Sequence, residues 1–182
     1  MNYGKFIDAE GPLASQLGFL ARAVSSDETR LYMNCIHVEP SDKGGLTGVA
    51  TDGRRLHYVD ELAGADVFGI TAGFWKVFKN GKRVWIARLD DSETEGFKFP
   101  NWRKVLPTGN FEYETYFEGY NNKTNHNQLV DLLRNFPDKT VIDLKHIADL
   151  GVHSVWRVEW FGREKAIRFT SGNCTAVIMP KR

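Results

Sequence analysis

The chain has 182 residues, 24 Lys+Arg against 23 Asp+Glu, 42% hydrophobic and 26% charged, which is the composition of an ordinary globular protein long enough to bury a core without staples. No apolar run approaches the ~18 residues of a membrane span, and the opening MNYGKFIDAEG lacks the basic-then-apolar order of a signal peptide, so a cytoplasmic protein without a membrane partner is expected. A formal charge of +1 excludes a strong uniform field while leaving room for a basic face, and Cys35 and Cys174, outside any C-x-x-C motif, read as buried free thiols.

The segment GPLASQLGFLARAVSSDE spaces Leu13, Leu17, Leu20 and Val24 helically, with Pro12 suited to a first helical position, and predicts a helix over 12–25. Its polar face carries Ser15, Arg22 and Ser26. RLYMNCIHVEP then reads as a strand ended by Pro40 and SDKGG. GLTGVATDG and RRLHYVDEL are two further strands joined at Asp52-Gly53, where Asp52 caps the turn and Gly53 tolerates positive φ. The opening NYGKFID is extended if these elements form one unit.

In the middle, VFGITAGFWKVFK and KRVWIARLD flank Asn80-Gly81, the strongest short hairpin signal, and the aromatic content favours a hairpin over a short helix at AGFWKVFK. DDSETEG follows as a solvated loop whose carboxylates have no basic partner in view. FEYETYFEGY is strand-like, and Asn125 starts a second helix with Leu129, Leu132, Leu133 and Phe136 as its stripe, Gln128 in capping-box position and Pro137 as its stop. Asn127, Asp131 and Arg134 lie on its polar face. Three extended runs close the chain: TVIDLKHIADL, then HSVWRVEWF with Trp156, Val158 and Trp160 alternating against Arg157 and Glu159, then KAIRFTSGNCTAVIMP with a bend at Ser171-Gly172-Asn173.

Strand–helix–strands therefore occurs twice, an internal repeat of architecture without a readable repeat of sequence. Each helix has one apolar stripe and each strand group one apolar face, so the units pack as sheets on one side with both helices on the other. The expected fold is α+β with an inserted β-hairpin: one domain over 1–182, with unit one at 1–65, the hairpin and FPNWRKVLP segment at 66–107, and unit two at 108–182.

Three segments carry a family resemblance. VATDGRRL at 49–56, FPNWRKVLP at 99–107 and the terminal AVIMPKR resemble, in order, the ATDG-x-RL turn, the FPxxRxVxP stretch and the VMPMR-like ending of the bacterial sliding clamp, the beta subunit of DNA polymerase III. AVSSDETRLYMNCIHVE is similar to that family's link between the first helix of a domain and its next strand. The resemblance implies a DNA-clamp-like, non-enzymatic platform of the replication machinery, needing no cofactor or metal, with helices toward duplex DNA and an apolar cleft for polymerase or other clamp-binding peptides.

Carried over by position, the cleft residues are Thr51, Gly53, Arg55, Leu56, Pro107, Val177, Met179 and Pro180. Arg54 replaces the family's usual His, and Lys181 replaces a Met, a charged head where an adaptable apolar wall is usual. The DNA candidates are Arg22, Lys123, His126 and Arg134, whose contacts to phosphate carry no sequence information. A folded chain of this length has a radius of gyration of about 16 Å, too small to encircle a duplex alone. A ring is therefore an oligomer, and a hexamer if each chain counts as one clamp domain. If 66–107 is a degenerate unit, the chain is nearer one and a half domains.

Two other readings stay open. One keeps the fold and drops the ring, giving a peptide-binding adaptor or clamp decoy. The other is an enzyme acting on nucleic acid or carbohydrate, supported only by Trp75, Trp85 and Trp102 as a stacking platform. His37, His57, His126, His146 and His153 show no metal-ligand spacing, and there is no Walker loop, G-x-S-x-G or G-x-G-x-x-G.

Overall fold

The computed structural model describes residues 6–80, 83–118, 132, 134–135, 140–151 and 155–181. The chain divides into two compact units, Met1–Pro100 and Asn101–Arg182. The architecture is α+β, with all strand pairs antiparallel.

The first unit contains β1 (Ile7–Ala9), α1 (Gly11–Leu20), β2 (Ile36–Pro40), β3 (Leu46–Thr51), β4 (Arg55–Val59), β5 (Gly73–Asn80) and β6 (Arg83–Arg88). Its strands lie side by side as β1-β6-β5-β2-β3-β4, so the β5–β6 hairpin is wedged into the sheet between β1 and β2. Leu13, Leu17 and Leu20 are at most 1% exposed and form the buried stripe of α1. At Gly48 on β3 a Cβ would stand 2.7 Å from Leu20 Cδ1, so the close approach of helix to sheet depends on the missing side chain.

The second unit contains β7 (Tyr113–Glu118), the short α2 (Leu144–Ala148), β8 (Val155–Trp160), β9 (Ile167–Ser171) and β10 (Cys174–Ile178), in the order β7-β8-β9-β10. Residues 132, 134 and 135 are helical, with Leu132 buried. Setting the inserted hairpin aside, the two units share one strand order, which is the architectural repeat read from the sequence. Trp156, Val158 and Trp160 are buried as their alternation predicts.

Several expectations are corrected. The first helix stops at Leu20, not at 25: the Ala23 N–H bonds only three residues back to Leu20, and Ser25 N–H turns to the Met33 carbonyl at 2.9 Å, leaving the helical ladder. RLYMNCIHVEP is not extended throughout. Leu31–Met33 is a 3-10 turn, closed by Met33 N–H on the Arg30 carbonyl, and the strand begins at Ile36. TVIDLKHIADL contains α2, because the Asp143 side chain caps it by accepting from Lys145 N–H at 3.0 Å while His146, Ile147 and Leu150 turn inward.

The middle hairpin forms, with Asn80 paired to Arg83, and Gly81 of the Asn80-Gly81 signal lies outside the described residues. At the other end of the chain, Ser171 pairs with Cys174, making Gly172-Asn173 a two-residue hairpin turn with Gly172 at φ 57°. The acidic loop does have a basic partner: Arg88 Nη2 lies 2.7 Å from Asp91 Oδ1. The proposed start of the second helix at Asn125 with its Gln128 box lies outside the described residues.

Candidate partner-binding and DNA-binding residues

The β3–β4 turn is built by its own side chains. Thr51 pairs with Leu56 across the hairpin, and its buried hydroxyl donates to the Arg55 carbonyl at 2.6 Å while accepting from Gly53 N–H at 3.1 Å. Asp52 Oδ1 accepts from the N–H groups of Arg54 and Arg55 at 2.9 and 3.1 Å, as a turn-capping residue does. Gly53 holds φ 88° and is exposed. Arg55 is buried: its Nε meets Asp52 Oδ2 at 3.0 Å and its Nη2 donates to the Arg22 carbonyl. Leu56 is 3% exposed and belongs to the core, so of this group Gly53 and Arg54 are the residues presented to solvent.

In the second unit, the NWRKVLP part of FPNWRKVLP contributes a 3-10 turn over Trp102–Val105, with Trp102 buried and Arg103 4.4 Å above its ring. Pro107 is half-buried. At the chain end Val177 is 1% exposed and Met179 is 40% exposed, with Pro180 between those extremes. Strand β10 thus supplies a buried Val and then releases Met179 to the surface. Lys181, which stands where the family that the sequence resembles has Met, is tied back: its N–H donates to the Val141 carbonyl at 2.7 Å and its ammonium lies 3.3 Å from Asp143 Oδ2.

Of the DNA candidates, Arg22 lies in the turn that follows α1, two residues beyond the helix itself, and is exposed. Arg134 is helical and exposed. Lys123 and His126 lie outside the described residues.

The stacking platform proposed from three tryptophans does not form. Trp75 is buried with its indole N–H on the Thr71 carbonyl at 2.8 Å, and Trp102 is buried in its own turn, because both supply core volume. His57 is fully buried, stacked on Phe19 at 4.3 Å with Nδ1 2.8 Å from the Phe19 carbonyl, a packing role. Burial pushes the Cys35 thiol up and the Cys174 thiol up to about 11, so neither is a ready nucleophile. Among the described residues no group of three or more His, Cys, Asp or Glu is placed to hold a metal ion, and no helix is long and apolar enough to cross a membrane.

Sequence reasoning missed a charge ladder on the strands of the second unit. Buried Glu159 lies 3.3 Å from Arg157 Nη2 and 2.5 Å from Arg168 Nε, and Arg157 also grips Glu114 through bonds of 2.9 and 3.0 Å. The pairing Glu114–Glu159–Arg168 across β7, β8 and β9 assembles it, and only strand register reveals it.

No family model and no curated protein matches the sequence. Solved structures do. The DnaN sliding clamp (DNA polymerase III subunit beta) of Bartonella birtlesii, bound to griselimycin, aligns over 100% of this chain and 67% of its own at 18% identity and TM-score 0.59. The beta chain of DNA polymerase III from Streptococcus pneumoniae aligns over 100% and 66% at 14% identity and TM-score 0.63. That from Borrelia burgdorferi, in complex with a natural product, aligns over 100% and 66% at 10% identity and TM-score 0.61. The chain has the fold of a sliding clamp and spans about two thirds of the length of these clamps.

Proposed function

We propose that the chain is a clamp-like, non-enzymatic component of a DNA replication machinery that binds duplex DNA without sequence preference and holds a partner peptide. The observation that carries this reading is the likeness of fold over the whole chain to solved sliding clamps, found independently of the three ordered sequence segments that resemble the same family. In this reading 1–182 functions as one clamp-like domain, and copies associate into a ring around DNA.

The peptide is held through the residues that match the family's cleft. The residues concerned are Thr51, Gly53, Arg55 and Leu56, where Thr51 and Arg55 brace the turn and Leu56 anchors it, and Pro107, Val177, Met179 and Pro180, of which the exposed Met179 is suited to wrap an apolar peptide side chain. The pairing of Lys181 with Asp143 engages the replaced charge, so that a cation at this position does not spoil the apolar wall.

For DNA, Arg22, Arg134, Lys123 and His126 serve as phosphate contacts. Binding is then weak, indifferent to sequence and steeply salt-dependent. Anisotropy of a labelled duplex titrated at several salt concentrations tests this. Charge reversal at Arg22 and Arg134 lowers both affinity and the log–log salt slope, by about one unit for each phosphate that is no longer neutralised; unchanged binding in the double variant contradicts the assignment.

A further inference from the structure

The inserted hairpin has a composition that the clamp reading does not use. From Gly73 to Leu89 the sequence holds five cations, Lys76, Lys79, Lys82, Arg83 and Arg88, and no Asp or Glu, interleaved with Phe74, Trp75, Phe78 and Trp85. The register sorts these residues by face. Trp75 and Ile86 lie on the buried side with Ile36 of β2, the side against which α1 packs. On the opposite side Phe78 stands directly across from Trp85, and Arg83 shares that face two residues before Trp85.

Phe6, 52% exposed, adds its ring 5.4 Å from that of Phe78. Phe78 and Trp85 are half-buried, and Arg83 is exposed. Lys76 shares the face, with its ammonium on the Asn34 carbonyl at 3.1 Å. Towards β2 the same face is covered, since Phe97 and Phe99 of the loop after β6 pack on Phe74 and His37. The row of Phe6, Phe78 and Trp85 therefore belongs to the hairpin end. One carboxylate adjoins it, the exposed Asp8 opposite Trp85.

We propose that Phe6, Phe78 and Trp85, flanked by Lys76 and Arg83, form a second nucleic-acid site on the face of the first unit's strands opposite α1, specific for single strands. Rings on an open sheet offer flat surfaces to unstacked bases, while cations at either end meet the phosphates of the same strand. A duplex keeps its bases stacked and has nothing to place on those rings. Alternation along β5 and β6 brings two cations, Lys76 and Arg83, to the side of Phe78 and Trp85, and the hairpin itself holds no carboxylate.

The test is fluorescence anisotropy of a labelled oligo(dT) and of a labelled blunt duplex, on the full chain at low salt. Oligo(dT) binds. Trp85→Ala lowers its affinity about tenfold or more, Arg83→Glu lowers it together with the salt slope, and Asp8→Asn raises it. Arg83 and Asp8 are exposed, so these two variants keep the fold even if Trp85→Ala does not. Arg163→Glu, a charge reversal on an exposed loop of the second unit, leaves oligo(dT) binding unchanged, which separates this site from a general effect of net charge. Absence of oligo(dT) binding, insensitivity to both Trp85→Ala and Arg83→Glu, or displacement by polyglutamate as potent as by unlabelled oligo(dT), overturns the proposal, the last by showing a surface for acidic chains in general.

Discussion

The buried guanidinium of Arg55, the first residue of β4, donates to the backbone carbonyl of Arg22 just beyond the end of α1. One side chain thus joins the turn that resembles the clamp family's ATDG-x-RL motif to the segment bearing a DNA candidate. It also supplies a donor to a carbonyl that stands past the end of the helical ladder. Replacing Arg55 by Met removes this donor and the Asp52 contact together, and costs about 1–3 kcal/mol of stability. Thermal or urea unfolding measures it, and an unaltered midpoint would show that the joint carries no stability.

The two apolar residues Met179 and Leu56, both assigned to the cleft, behave differently when charged. Met179 is 40% exposed, so Met179→Asp keeps the fold and weakens binding of a clamp-type peptide. Leu56, at 3% exposure, is core: Leu56→Asp buries an unpaired carboxylate and unfolds the first unit before any question of affinity arises. Circular dichroism with peptide anisotropy separates these outcomes. Full peptide affinity in Met179→Asp removes the chain end from the binding site.

Glu159 is the centre of its ladder, held between Arg157 and Arg168. Glu159→Ala removes charge-assisted bonds to two partially exposed guanidinium groups and destabilises by about 1.5–3 kcal/mol. Because both arginines reach water, the cost stays below that of stranding a fully buried charge. Urea midpoints compare the variant with Glu159→Gln, which retains hydrogen bonding and is destabilised less; equal midpoints for all three chains would show that the ladder adds no stability.

Asp143 gives the second unit an acid-sensitive joint. The Lys145 backbone N–H, with help from the Lys181 ammonium, holds its carboxyl below the usual carboxylate range. A depressed folded-state value means that the carboxylate stabilises the fold above its unfolded pKa, about 3.9, and that this contribution fades as pH falls through the folded value. The melting-temperature gap between the natural chain and Asp143→Asn therefore narrows below about pH 4. A gap independent of pH across that range rules out the joint. Asp143→Ala loses the helix cap as well and costs about 1 kcal/mol at neutral pH.

The elements legible in the sequence are those governed by short-range rules. Alternation of Trp156, Val158 and Trp160 announces β8, and the leucine spacing announces α1. The end of α1 is set by contacts with Met33 and Arg55, distant in sequence, so periodicity through Val24 overstates its length. α2 does carry a local signal: Asp143 directly before LKHIA is an N-cap position, set against the β-branched Val141 and Ile142 that favour a strand. At the candidate cleft, the ATDG-like turn is legible from Asp52-Gly53, whereas the burial of Leu56 and Arg55 follows from packing against distant residues. The wedge of β5–β6 between β1 and β2, and the partners of Glu159, depend on which strands become neighbours, and no single stretch of sequence records that.

The central claim is that copies of this chain close around duplex DNA, and retention on DNA of defined topology tests it most directly. Protein bound to a closed circular plasmid, separated from free protein by gel filtration at a salt concentration that suppresses simple phosphate contacts, stays with the circle and is lost when the plasmid is cut once, by sliding off the ends. Light scattering on the same preparation shows an assembly larger than one chain. Release from circular and cut plasmid alike, by a protein that scatters as a strict monomer, would contradict the account.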